Sequence, residues 1–499
     1  MAAPGATDAA ALMRQGLERL RAREPRAALE AFARLVAAAP DHLDGRAHLG
    51  LAHLQLGAAA EAEEQFRRVL TADPGHALAL RNLGVLLMER ERLDDLLALT
   101  AEVLGHDPAH RQALLLRGAA LAGLDREDEA VAARGRMLAR WPDDVEALTQ
   151  LGLAQATLQQ HTAAMAALDR AVALRPQDPF ARSRRGTLRL QLHDYGGWDD
   201  YEARLDLERF LARSGGILNA SVAPHLARGV APAALAGRRV LLMGEQGLGD
   251  QVMFASMIPD LAAAAGQVTC VCDPRLARIF ATSFPDVRVA APGAPIRKAD
   301  IDIVLAMGSL GRLFRTDAAR FTGAPYLSPS PAARAPWAER LGPRDGRLRV
   351  GLSWRGGLAT TRRSSRSLDL EQLAPILELP GCEFVSLQYG DVSAELAGRP
   401  IRAFAPAATH DLDDLAALAA ELDVVVSVQT ALVHLCGAIG QDCLTLIPHN
   451  AEWRYGASGP SMPWYRSVRL LRQDRAGAWE PVVVQAAEAI QRRAAGQTE

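Results

Sequence analysis

The chain has 499 residues, too long for a single hydrophobic core, and its length points to about three domains. Apolar residues make up 49% and charged residues 23%, ordinary globular values that exclude wholesale disorder. A net charge of −2 without a basic run gives no reason to expect nucleic acid. Lys298 is the only lysine, so any phosphate contact that needs a cationic side chain must use Arg or His.

In chain order, the first ten residues show neither a basic nor an apolar leader pattern. No segment supplies the roughly 20 uninterrupted apolar residues of a membrane span. The odd set of five cysteines carries no disulfide framework. A cytoplasmic location is therefore expected.

The first 200 residues repeat with a period of 34. Glycine recurs at Gly16, Gly50, Gly84, Gly118, Gly152 and Gly186, and proline at Pro40, Pro74, Pro108, Pro142 and Pro176. Ala28, Ala62, Ala130 and Ala164 share one register position, and Phe32 and Phe66 another. Small residues let two helices approach closely, and each proline stops the preceding helix. Period and patterning resemble the tetratricopeptide repeat. An α-solenoid of about six repeats is expected over residues 1–205, with a groove for a protein partner or a surface for self-association. Leu96, Thr100 and Arg134 break the pattern in repeats three and four. Tyr195-Gly-Gly-Trp-Asp-Asp-Tyr-Glu-Ala-Arg204 is expected to cap the array and dock it on the next domain.

After a linker at 206–236, short apolar runs alternate with helical stretches, the signature of a parallel α/β sheet. A first lobe is expected over 237–330. It has strands at Val240–Met243, Val268–Cys272 and Ile303–Ala306, and one helix over Gln251–Ala264. The Cys270-x-Cys272 pair lacks the second pair of a zinc site and suits core packing. The Pro- and Arg-rich stretch Ser328–Arg347 reads as an interlobe linker. A second lobe over 345–499 has strands at Val350–Ser353, Glu383–Leu387, Val424–Val428 and Cys443–Ile447. Pro481 opens its final helix, Val482–Arg493.

Ligands bind at the carboxyl ends of such sheets, and the strand ends carry the candidate residues. Gly247-Leu-Gly249-Asp250 opens the helix of the first lobe, without the third glycine of a dinucleotide fingerprint. Asp250 is a general base facing the cleft or an N-cap. Arg355, Arg362, Arg363 and Arg366 crowd one loop. Such a group needs an anion or carboxylates among it, and Arg355 and Arg366 are the preferred phosphate contacts. Gln388 reads a base or ribose edge, or satisfies loop backbone. Gln429-Thr430-Ala431 stands at a strand-to-helix turn whose free N–H groups suit a diphosphate. His434, one turn on, shares a helix face with Thr430 and is either a phosphate contact or a core histidine. Trp453 and Arg454 either stack a base and shape the acceptor side or simply pack.

Taken in order, these motifs resemble bacterial tetratricopeptide proteins with a heptosyltransferase-like glycosyltransferase domain. The series is Glu245-Gln-Gly-Leu-Gly-Asp250, Ser353-Trp-Arg-Gly-Gly357, Arg366-Ser367, Ser386-Leu-Gln388, Ser427-Val-Gln-Thr-Ala431 with His434, Trp453-Arg454 and Trp464-Tyr-Arg-Ser467. The resemblance implies a GT-B fold of two Rossmann-like lobes. It also implies a metal-independent, inverting glycosyltransferase that moves a sugar from a nucleotide-sugar to a protein or glycan acceptor. Asp250 would be the base. Gly247, Gly249, Arg355, Arg366, Gln388, Gln429, Thr430, Ala431 and His434 would hold the donor, with no cofactor. Gln429 stands where the family has Asp, and arginine must serve where the family uses Lys. The competing reading is a repeat scaffold whose C-terminal half binds a nucleotide, or nothing, without turnover.

Overall fold

A computed structural model describes residues 4–497 except 208–222, 246, 295, 358–363 and 405–409. Two compact units result, Met1–Pro176 and Gln177–Glu499.

The first unit is an α-solenoid of five helical hairpins. They are Pro4–Arg21 with Pro25–Ala38, Leu43–Gln55 with Ala59–Ala72, and Ala77–Glu89 with Leu93–His106. Arg111–Gly123 with Glu127–Arg140 and Val145–Thr157 with His161–Leu174 complete the set. The repeated small residues do what their spacing predicts. A Cβ added to Gly50 would stand 2.7 Å from the Phe66 ring, so glycine is what lets that ring lie against the first helix of its hairpin. Within each hairpin the turn needs one residue in the left-handed region. Gly57 fills it in the second repeat, but Arg23, Glu91, Asp125 and Gln159 fill it elsewhere, at φ of 57–58°.

The irregular repeats solve their packing locally. Thr100 is fully buried, and its hydroxyl donates to the Leu97 carbonyl at 3.0 Å. Arg134 takes the place of the aromatic ring and donates to the Gly118 carbonyl at 2.9 Å, in the space that glycine leaves open. It is 3% exposed. Burial pushes its pKa down, and the Glu127 carboxylate acts against that shift.

The second unit begins with the helices Pro179–Gln191 and Gly197–Tyr201. The sixth hairpin therefore belongs with the α/β part, and not with the array as the expected boundary at residue 205 had it. The reason lies in its aromatic end. Trp198 is buried, its indole donates to the Arg315 carbonyl at 2.9 Å, and its ring meets Phe254 edge-on at 6.3 Å.

Two sheets follow. The first contains β1 (Arg239–Met243), β2 (Gln267–Val271), β3 (Val287–Ala290) and β4 (Ile303–Ala306), all parallel, in the order β3-β2-β1-β4. The second contains β5 (Leu348–Ser353), β6 (Cys382–Ser386), β7 (Ile401–Arg402), β8 (Val424–Val428), β9 (Cys443–Ile447), β10 (Ser461–Met462) and β11 (Tyr465–Arg472). Its order is β10-β11-β9-β8-β5-β6-β7, and only β10 runs antiparallel to its neighbour. β8 and β9 are buried along their whole length and are apolar except for Ser427 and Thr445, both fully buried. A single apolar core joins the first sheet and its helices to residues of the second, from Leu242 and Phe254 to Leu435 and Tyr465.

Several expected elements differ. The helix expected over Gln251–Ala264 starts earlier and is broken into Leu248–Ala255 and Ile258–Ala264. Pro259 explains the break, because without an N–H it fits only the opening turn of a new helix. The linker expected over Ser328–Arg347 contains the helix Pro331–Leu341, capped by Ser330 and anchored by fully buried Trp337, whose indole donates to Asp414 at 3.0 Å. Part of the expected 206–236 linker joins the first sheet, where Leu226 bridges to Val304. Cys270 and Cys272 are buried, consistent with packing.

Candidate functional site

The strand ends of the two sheets bring the helices Leu248–Ala255 and Ala431–Ile439 together. Gly249 lies at the crossing. A Cβ there would stand 2.9 Å from the His434 ring and 3.5 Å from the Ala431 Cα, so the glycine serves a close helix-to-helix approach. Gly247 is the N-cap of the first of these helices. Asp250 is thus within its first turn and is not the N-cap.

Asp250 accepts a hydrogen bond from the Arg454 guanidinium at 2.5 Å. Burial raises its pKa above the ordinary aspartate value, and Arg454 pulls it back down. Arg454 also faces Glu452 at 3.7 Å, and Glu452 accepts from Arg366 at 2.9 Å. Burial opposes the charge on Arg454, but Asp250 and Glu452 outweigh it and raise its pKa. The result is an alternating chain of charges, Asp250–Arg454–Glu452–Arg366, built from both lobes.

His434 lies in the protein interior. It is 2% exposed, with Nδ1 at 3.2 Å from the Tyr465 hydroxyl and Nε2 at 3.4 Å from the Tyr455 hydroxyl. Burial lowers its pKa well below the usual imidazole value, helped by the Arg454 charge, so the ring is neutral. Thr430 caps its own helix by accepting from the Leu432 N–H at 3.2 Å, and Ala431 is the first helical residue. Gln429 is 1% exposed, and its amide oxygen and nitrogen have no partner among the described residues.

The remaining candidates among the described residues all have protein partners. Gln388 accepts from the Trp354 and Arg355 N–H groups at 2.9 and 2.8 Å and donates to the Arg355 carbonyl at 3.2 Å, satisfying loop backbone. Arg355 pairs with Glu395 at 2.8 Å. Carboxylates therefore sit beside both preferred arginines; Arg362 and Arg363 lie outside the described residues. Trp453 packs against Trp198, Tyr201 and Phe254 at centroid distances of 5.9, 5.7 and 6.4 Å. Arg454, read as a stacking residue, is the partner of Asp250.

Sequence reasoning missed Tyr326, Tyr455, Glu452 and the buried Arg204–Glu245 pair. Arg204 donates to Glu245 at 2.7 Å, and the same carboxylate accepts the Gly308 N–H at 2.8 Å. Arg204, Glu245 and Tyr465 all lie within the sequence motifs above, but nothing local in the sequence marks their pairing.

Comparison with known proteins places the array. The tetratricopeptide repeat family matches residues 13–77, 60–99 and 128–179. The N-terminal array is a tetratricopeptide-repeat α-solenoid. Protein FlbA of Caulobacter vibrioides is 32% identical over 343 residues, which cover 61% of this chain and 54% of FlbA, so the chain spans about half the length of that relative. A thermophilic repeat protein of Thermus thermophilus is 23% identical over 36% of this chain and 99% of its own, with a TM-score of 0.31. PilF of Pseudomonas aeruginosa is 16% identical over 41% of this chain and 93% of its own, with a TM-score of 0.35.

The expectation of a glycosyltransferase finds no support in the repeat family or in FlbA and is set aside, and neither supports a nucleotide-sugar as partner. The carboxylate expected as base is ion-paired, the histidine expected at a phosphate is held between two tyrosines, and the tryptophan expected to stack a base is packed among aromatics. Among the described residues, no group of three or more His, Cys, Asp or Glu could hold a metal, and no helix is long and apolar enough to cross a membrane.

Proposed function

We propose that this protein is a non-catalytic tetratricopeptide scaffold. The array holds a protein partner, and the C-terminal part is a degenerate nucleotide-binding domain of GT-B layout retained as a structural body. The observation that carries this reading is the Asp250–Arg454 contact at 2.5 Å, which ties the one candidate base into an ion pair across the lobes. Gly247, Gly249, Arg355, Arg366, Gln388, Gln429, Thr430, Ala431 and His434 are, on this reading, the remnant of a donor site now used for packing and loop support. Gln429, with its buried amide unpaired among the described residues, is the residue least explained by support alone. Repeat arrays supply extended surfaces for partners and no chemistry of their own.

The test is quantitative cross-linking of the full chain in its native cell, comparing Val85→Glu with Asp250→Asn. Val85 lies on the first helix of the third hairpin and is 42% exposed, so a charge there changes the array's surface without disturbing its core. The scaffold reading expects Val85→Glu to weaken the main cross-link and Asp250→Asn to leave it unchanged. The opposite pattern would locate partner binding in the α/β part and sink the reading.

A further inference from the structure

The residue before the first helix of hairpins two to five, and before the helix Pro179–Gln191, recurs with the same period of 34, as His42, His76, His110, Asp144 and Asp178. Each caps its helix through the same bond. Nδ1 of His42 accepts the Gly45 N–H at 3.0 Å, that of His76 the Ala79 N–H at 3.4 Å, and that of His110 the Ala113 N–H at 3.2 Å. Asp144 accepts the Ala147 N–H and Asp178 the Ala181 N–H, both at 2.9 Å. A carboxylate caps with its charge. An imidazole caps only with the lone pair of a neutral ring, so the proton must sit on Nε2. In two of the three rings that nitrogen is also engaged. In His76 it lies 3.2 Å from the Asp44 carboxylate, and in His110 it lies 3.2 Å from the Gly75 carbonyl, each in the preceding hairpin or its turn.

A second proton on such a ring goes to Nδ1. It turns the acceptor into a donor facing the N–H that it caps, and the bond is lost. Asp44 attracts a protonated His76, but its side chain is 66% exposed, so this offsets only part of the loss. His110 faces a carbonyl on its other nitrogen. Asp73, which accepts the Gly75 N–H, stands beside that turn, and Arg111 follows His110 but is paired with Asp144. Arg46, near His42, is turned to the Pro40 carbonyl and Gln65. Asp144 differs in kind. Burial would raise its pKa, but the Arg111 guanidinium and the Ala147 N–H hold it below the ordinary aspartate value, so its cap survives mild acid.

We propose that the array contains an acid-labile segment. Protonation of His42, His76 and His110 releases three successive helix caps and loosens the first helices of hairpins two to four, while the Asp144-capped helix of hairpin five stays closed. The inference concerns the array's own stability and holds whatever partner the array binds.

Hydrogen exchange followed by mass spectrometry on the full chain tests it, at about pH 7.5 and about pH 5 and corrected for intrinsic rates. Protection in the opening turns of Leu43–Gln55, Ala77–Glu89 and Arg111–Gly123 is expected to fall about fivefold in acid, with little change in Val145–Thr157. The His42→Asn, His76→Asn, His110→Asn triple variant caps without titrating and should abolish the fall. The reverse change, Asp144→His, should make Val145–Thr157 acid-labile, and it decides the matter if the triple variant fails to fold. An equal fall in all four helices, a fall that persists in the triple variant, or no fall at all would overturn the proposal.

Discussion

The two units use buried polar groups in opposite ways. In the array, polar side chains sit at register positions where one neighbour suffices: a cap, a turn, or the gap left by a glycine. In the α/β unit they form long-range chains, such as Asp250–Arg454–Glu452–Arg366 and Tyr326–Tyr465–His434–Tyr455, which join residues far apart in sequence. A role in the array can therefore be read from its copies. A role in the second unit depends on what folding brings beside it.

The comparison can be broken most severely in the array's apolar register. Phe66 is fully buried against Gly50, and Phe66→Ala should cost about 3–5 kcal/mol, read as a lower denaturant midpoint for the first unit. A loss under about 1 kcal/mol would mean that the repeats collapse around the gap and are not fixed by their glycines.

In the second unit, Arg454→Ala leaves Asp250 without its partner. The side chain of Asp250 keeps 24% of its exposure, so the usual cost of breaking a buried pair is discounted to about 2 kcal/mol. Arg454→Ala combined with Asp250→Ala should recover part of that loss. If the two costs simply add, the pair is not coupled.

Acid gives a smaller, graded effect. His434 is neutral in the folded protein because burial lowers its pKa, so the unfolded chain binds a proton first. Its contribution to stability is intact above about pH 6.5 and declines below it, by at most about 1.4 kcal/mol per pH unit, until the folded-state pKa is reached. His434→Gln should remove this part of the slope of unfolding free energy against pH. An unchanged slope would mean that other groups carry it.

The smallest effect has the opposite sign. Glu91 and Gln159 hold the left-handed turn position at φ of 57°, where Gly57 stands in the second repeat. Glu91→Gly and Gln159→Gly should each stabilise the array by up to about 1 kcal/mol, seen as a raised midpoint. Loss of stability would show that the entropy cost of glycine dominates.

Much of this fold was legible in advance, for identifiable reasons. The period-34 glycines and alanines exposed the hairpins because each repeat restates the same close approach. β8 was legible because a strand buried on both faces is mostly apolar, with valine at every position but Ser427. The helix at Pro331–Leu341 reads as linker because proline signals a break, yet Pro331 stands at its first position and Pro336 is accommodated inside it. Candidate residues were placed at the correct strand ends, yet their roles were not legible. Asp250 and Arg454 are 204 residues apart, and nothing in either segment announces the other. The histidine caps escaped notice for a different reason: His at such a position reads as a surface residue until its Nδ1 is seen to face the N–H three residues on.

The central claim is that the α/β unit commits its candidate chemical groups to structure. Incubating the purified full chain with a panel of nucleotide-sugars, and following nucleotide release alongside an Asp250→Asn control, tests it most directly. The account predicts no release above background in either protein. Release by the wild type that disappears in Asp250→Asn would contradict it.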